Sequence, residues 1–79
     1  MIIRESCGAE LDSYSQEYQG RCEVRYLLAG AKKNGKVWAD DMLNQMRKPR
    51  GDKAVDLLHK VCREQWIKGN RGLKGQWFI

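Results

Sequence analysis

The clearest fold signal in the chain is the stretch 52–68, DKAVDLLHKVCREQWIK. Its apolar side chains recur three and four residues apart, as they do on one face of an α-helix: Ala54, Leu57, Leu58, Val61, Cys62 and Trp66. Asp52 can cap the start of such a helix, and Gly69 can end it. The stretch therefore predicts an amphipathic helix over residues 53–68.

A second helical pattern precedes this one over residues 14–29. Ser15 is a favourable capping residue, and Gly30 is placed to end the helix. The apolar side chains form two adjoining stripes: Tyr14, Tyr18, Cys22 and Tyr26 in one, and Val24, Leu27, Leu28 and Ala31 in the other. Gly20 interrupts the pattern at some cost in helix stability, and it indicates a close approach by another helix.

The segment between these two patterns permits two interpretations. Asn34-Gly35 is a strong signal for a β-hairpin, which here would span residues 27–38. The large apolar residues that follow recur instead at intervals of four: Trp38, Met42 and Met46. Pro49 is placed to stop a helix. We therefore favour a helix over residues 37–48.

Three amphipathic helices with short connections predict an all-α fold, a small three-helix bundle. The bundle would occupy residues 13–68. Residues 1–12 are predicted to form an irregular lead-in with at most a short strand, and residues 69–79 a C-terminal tail. The tail ends in Trp77-Phe78-Ile79, which either folds back on the core or contacts a partner.

The composition of the chain is typical of one small folded domain. Its 79 residues are too few for two domains, and a hydrophobic share of 42% is too high for a disordered segment. No apolar run approaches the roughly 20 residues that cross a bilayer. Residues 1–5 are too few for the apolar core of a secretion signal, and they include an acid where such a signal is basic. We therefore expect a cytoplasmic protein without membrane contact.

Residues suited to catalysis or metal binding are few. His59 and Cys62 lie three residues apart on the predicted third helix, and with Cys7 and Cys22 they form a candidate Cys3His zinc site. The closely paired ligands of structural zinc sites are absent from the sequence, and Cys62 lies on the apolar face, where a thiol is not activated. We expect no enzyme activity, no metal and no cofactor, and keep a zinc-stabilised module as a minor hypothesis.

Positive charge is concentrated in the C-terminal part of the chain. Residues 47–79 carry nine basic and three acidic side chains, whereas residues 1–46 carry six basic and seven acidic ones. Such asymmetry indicates a negatively charged partner. The predicted binding surface combines these cations with the terminal aromatic residues: Arg47, Lys48, Arg50, Lys53, Lys60, Arg63, Lys68, Arg71, Trp77 and Phe78.

Residues 22–66 also carry a resemblance to known proteins. The matching residues are Cys22-Glu23-Val24-Arg25-Tyr26-Leu27-Leu28, Arg50-Gly51, Leu57-Leu58, Val61 and Gln65-Trp66. In these residues the chain resembles small uncharacterised helical proteins that bacteriophages and prophages encode. The resemblance implies an accessory phage product that acts stoichiometrically by binding host machinery or nucleic acid. It carries over no catalytic residue.

Two functional hypotheses follow. In the first, the protein is a non-enzymatic, phage-type accessory protein that binds an acidic surface on a host protein complex and inhibits or redirects it, for example a defence system such as CRISPR-Cas. A basic protein is a poor mimic of DNA, so inhibition would not work by imitating phosphates. The alternative is a small DNA- or RNA-binding regulator, in which the second and third helices form a helix-turn-helix with Lys53, Lys60 and Arg63 exposed. Asp56 and Glu64 among these cations count against the alternative.

Overall fold

The computed structural model describes residues 1–78, so the expectation for Ile79 lies outside the described residues. Three helices pack against one another beside a two-stranded antiparallel sheet. The elements are β1 (Ile2–Arg4), β2 (Glu10–Asp12), α1 (Gln16–Asn34), α2 (Lys36–Arg50) and α3 (Asp52–Ile67). The predicted helical bundle is confirmed, and the all-α class is corrected by the sheet.

The sheet is a short hairpin that packs one side chain of each strand inward. Ile3 pairs with Leu11, and both are half-buried, whereas the residues on either side of them are exposed. Arg4 pairs with Glu10 across the strands through an ion pair of 3.0 Å. Strands of three residues are too short for an alternating pattern to be visible in the sequence.

Helix α1 begins at Gln16, two residues after the predicted start, and ends later than predicted. The backbone N–H of Tyr18 donates to the Ser15 hydroxyl at 3.1 Å, which confirms the cap. The helix continues through Gly30, where glycine is needed because a Cβ would lie 2.0 Å from the Trp38 ring. It ends at Gly35, whose φ of +94° favours glycine. The hairpin considered for residues 27–38 is therefore wrong.

Helices α2 and α3 are joined by Gly51 alone. Helix α2 runs through Pro49 to Arg50, two residues beyond the predicted end, because a proline in the last turn removes only one intrahelical hydrogen bond. Gly51, rather than Asp52, is the cap residue of α3. Asp52 lies in the first turn, where the helix dipole favours an acid.

The core lies between the three helices. Its buried apolar residues come from all of them: Val24, Leu27, Leu28, Leu43, Val55 and Cys62. The apolar face of α3 is rotated from the predicted one, since Val55 has no exposed surface whereas Leu57 is 63% exposed. On α1, Tyr14 and Tyr26 are exposed, so the predicted tyrosine stripe is only partly buried.

A buried ionic cluster attaches the N-terminal loop to α1. The side chain of Glu5 is fully buried and forms ion pairs with both Arg21 and Arg25. Arg25 is itself buried and also donates to the carbonyl of Gln76 at 3.2 Å. The cluster therefore fixes the N-terminal loop and the C-terminal tail to the same helix.

The described part of the C-terminal tail folds back on the bundle. Asn70 has no exposed surface, and its amide donates to Gln65 at 3.0 Å and to the carbonyl of Gln76 at 3.1 Å. The Gln65 side chain in turn bonds both the N–H and the carbonyl of Phe78, at 3.0 and 2.6 Å. Trp77 packs against the core. Residues 70–78 are thus part of the folded structure.

Candidate functional site

Part of the positive charge is neutralised within the chain. Arg47 lies between Asp52 and Asp56, at 3.2 and 2.9 Å. Arg50 holds both carboxylate oxygens of Glu23, at 2.5 and 2.6 Å. Because these two arginines already have acidic partners, their positive charge is largely neutralised and would attract another acid only weakly.

The other cations of the predicted surface are free of such pairs. Among residues 1–78, all eight lysines and two arginines form no ion pair: Lys32, Lys33, Lys36, Lys48, Lys53, Lys60, Lys68, Lys74, Arg63 and Arg71. Three acids in the same part of the chain are also unpaired: Asp40, Asp41 and Glu64. The unpaired charge of the described residues is therefore strongly positive.

Six of the free cations lie in the last turns of α1 and α3 or just after these helices end. We call them the basic end: Lys32, Lys33, Lys36, Arg63, Lys68 and Arg71. The α1–α2 turn and the last turns of α3 come together there, since Lys36 and Arg63 line the same groove. Lys32 and Lys33 occupy the last turn of α1, where they also complement the helix dipole.

Sequence reasoning missed half of the basic end. Lys32, Lys33 and Lys36 lie in the part of the chain whose basic and acidic side chains nearly cancel, so a count of charges does not select them. These three lysines within five residues were the available signal. The helical hairpin formed by α1 and α2 brings Lys36 to Arg63 on α3.

The remaining predicted residues lie elsewhere. Lys48 and Lys53 flank Gly51, at the opposite end of α3 from Lys68, and Lys60 is exposed in the middle of that helix. Trp77 is half-buried beneath the Arg21 guanidinium, 4.8 Å from the ring centre. Phe78 is bonded to Gln65 through its backbone. The structure thus places the predicted residues in several regions.

A groove of about 220 Å³ opens between the three helices beside the basic end. Its floor is apolar and comes from every helix: Leu27, Leu28, Leu43, Cys62 and Trp66. Its rim is polar: Lys36, Asp40, His59 and Arg63. We call it the basic groove. An apolar cavity of about 150 Å³ accommodates benzene, so this groove has room for one aromatic or branched side chain.

Arg71 is held firmly beside this groove. Its guanidinium stacks on the Trp66 ring, 3.8 Å from the ring centre, and donates to the carbonyls of Trp66 and Asn70 at 2.7 and 3.0 Å. These contacts fix the position of the Arg71 charge before any partner arrives. A fixed cation loses less conformational entropy on binding than a mobile one.

The reactive groups near the groove are poorly suited to covalent chemistry. Burial, followed by the negative charge of Glu23, raises the pKa of the Cys62 thiol to about 11. The thiol is therefore protonated at neutral pH and a weak nucleophile, although His59 lies one turn away. Among residues 1–78, no three histidine, cysteine or acidic side chains are grouped so that they could hold a metal ion.

Comparison of the chain with protein-family models, curated proteins and solved structures finds no match. Within residues 1–78, none of the helices has the length and apolar character needed to cross a bilayer.

The best-defined candidate site is the basic groove together with the basic end, where apolar surface and unpaired cations lie side by side.

Proposed function

We propose that the protein is a non-enzymatic, phage-type accessory protein that binds an acidic surface on a host protein complex and thereby inhibits or redirects it. The basic groove carries this proposal, because it combines an apolar floor with the unpaired cations Lys36 and Arg63 on its rim. The phage origin, and with it a cytoplasmic location in a bacterial host, depends on the resemblance of residues 22–66.

An acidic protein segment with one exposed apolar side chain would satisfy both parts of the groove. The apolar side chain would be buried against Leu43 and Trp66, and neighbouring carboxylates would meet Lys36 and Arg63. Interfaces commonly combine a buried apolar anchor with a charged rim. The rim would also speed the encounter, and this effect would weaken as salt rises.

The architecture favours a protein partner over a nucleic acid. One residue joins α2 to α3, instead of the usual turn of three or four residues in a helix-turn-helix. Asp52 and Asp56 lie at the start of α3, which in that motif contacts DNA, and they would repel phosphates. A phosphate backbone also offers no apolar group that could be buried against the apolar floor of the groove.

A small DNA- or RNA-binding regulator is the second candidate, because every lysine of the chain is free of ion pairs among residues 1–78. Titration of labelled duplex and single-stranded DNA at several salt concentrations tests it directly. A regulator of this kind would show a log–log salt slope that corresponds to several released counterions. On our proposal, neither nucleic acid binds at low salt and micromolar protein.

Affinity capture from a bacterial lysate, with and without nuclease, tests the first candidate. The full chain is compared with the double variant Lys36→Glu/Arg63→Glu and with the matched control Lys48→Glu/Lys53→Glu. All four cations are unpaired, and both variants change the net charge equally. We expect a captured protein complex that survives nuclease, is lost with the first variant and is kept with the second. Capture that disappears after nuclease treatment would contradict the proposal.

A further inference from the structure

No contact within the chain explains why residue 20 of α1 is a glycine. A glycine inside a helix lowers stability relative to alanine, so its presence usually reflects a close contact. Gly30 has such a contact, with the Trp38 ring. A Cβ added at Gly20, in contrast, would meet nothing within 4 Å. The recess that Gly20 leaves on α1 is therefore open to the outside.

This recess belongs to a second groove, which lies between α1 and α3. The groove measures about 450 Å³, and its α3 side is apolar: Ala54, Leu57, Leu58 and Val61. None of these four residues lines the basic groove, so the two grooves lie on different sides of α3. We call it the α1/α3 groove. Leu57, which is 63% exposed, projects from this face, and Gly20 is recessed in it.

The charges around the α1/α3 groove are already paired. Arg50 holds Glu23, and Arg21 holds Glu17 at 2.8 Å together with the buried Glu5. A face of this kind selects neither an acidic nor a basic partner. It also allows two identical faces to approach without repulsion, whereas two basic ends would repel each other.

The size of the groove indicates a helix as its occupant. A volume of about 450 Å³ is roughly three times that of an apolar cavity that holds benzene, so several side chains can enter. Apolar residues three and four positions apart on one helix are the usual occupants of such grooves. Helix α3 itself offers this pattern in Ala54, Leu57 and Val61.

We propose that the α1/α3 groove binds a second copy of this chain about a two-fold axis. Leu57 of each copy packs over Gly20 of the other. A two-fold interface requires one patch to be complementary to itself, and this face carries both the projecting and the recessed element. The basic groove, on the other side of α3, stays exposed in both copies. The dimer would therefore present two binding sites for an acidic partner.

Sedimentation equilibrium of the full chain, from low micromolar to submillimolar concentration, tests this inference. The variants are Leu57→Lys and Gly20→Leu, and the control is Ile67→Lys. Ile67 is 75% exposed on the same helix but does not line the groove. We expect a dimer whose dissociation constant rises at least about tenfold in both variants and is unchanged in the control. It should also be nearly independent of salt.

Folding controls separate a lost interface from a lost fold. Both substituted positions are exposed, so circular dichroism should show unchanged helix content in each variant, and leucine at position 20 should favour the helix. A wild-type chain that stays monomeric over the whole range would overturn the inference. A dimer that withstands both substitutions would overturn it as well, because its interface would then lie elsewhere.

Discussion

Replacement of Asn70 by alanine should lower the stability of the whole domain. The Asn70 amide donates two hydrogen bonds, to Gln65 at 3.0 Å and to the Gln76 carbonyl at 3.1 Å, and its oxygen accepts from the N–H of Gly72 at 2.9 Å. A buried hydrogen bond contributes about 1 kcal/mol, and an unsatisfied buried group costs about 1–3 kcal/mol. With three bonds lost at a site without solvent access, we expect a decrease of about 2–4 kcal/mol.

Urea unfolding followed by circular dichroism measures this decrease as a change in the unfolding free energy, while the slope of that free energy against urea concentration stays the same. Lys74→Ala is the matched control, since Lys74 is an exposed residue of the same tail. The control should change stability by less than about 0.5 kcal/mol. An Asn70→Ala variant as stable as the wild type would refute the conclusion that the tail is part of the fold.

Three further expectations concern the core. Glu5→Gln should lower the free energy of unfolding in urea by about 3–5 kcal/mol, because Arg25 would keep its charge in a buried site. A decrease of less than about 1 kcal/mol would count against the ionic cluster. Gly30→Ala should destabilise by about 1–3 kcal/mol through its clash with Trp38, whereas Gly20→Ala should raise the melting temperature of the monomer; effects of equal sign would contradict the packing described. Since the raised pKa of Cys62 means that the folded state retains a proton longer than the unfolded state, stability should fall as pH rises from about 9 towards 11, and Cys62→Ala should reduce that dependence in pH-series unfolding.

The helices of this fold were largely predictable from local patterns, and their boundaries were not. Ser15 was predictable as a cap because its hydroxyl acts within one turn. Gly30 was misinterpreted because glycine both ends helices and permits close contacts, and only the position of Trp38 distinguishes the two. Only one short strand was expected near the N-terminus, and its pairing in a hairpin was not predicted, because strands of three residues show no measurable alternation.

The apolar face of α3 shows how an exposed apolar surface can mislead a prediction from spacing. Ala54 and Leu57 fit a helical stripe, but they lie on the exposed α1/α3 groove, whereas Val55 forms the core. Apolar spacing alone does not distinguish a buried face from an exposed apolar one. The rotated assignment therefore coincides with the surface that we propose as the dimer interface.

The candidate site was predictable in its charge but not in its location. A count of cations in residues 47–79 does not reveal that Arg50 is neutralised by Glu23 on another helix. It also leaves out Lys36, which tertiary packing brings to Arg63. Ion pairs between distant residues and the meeting of helix ends depend on the three-dimensional arrangement, so the sequence indicates only the sign of the excess charge.

The most direct measurement is the affinity of the captured partner for the wild-type chain and for the two charge-reversal variants, by calorimetry at low and at physiological salt. Reversal of Lys36 and Arg63 should weaken binding at least about tenfold more than reversal of Lys48 and Lys53, with a smaller salt dependence of the residual binding. If both variants lose affinity equally, net charge alone attracts the partner, and the basic groove is not its binding site.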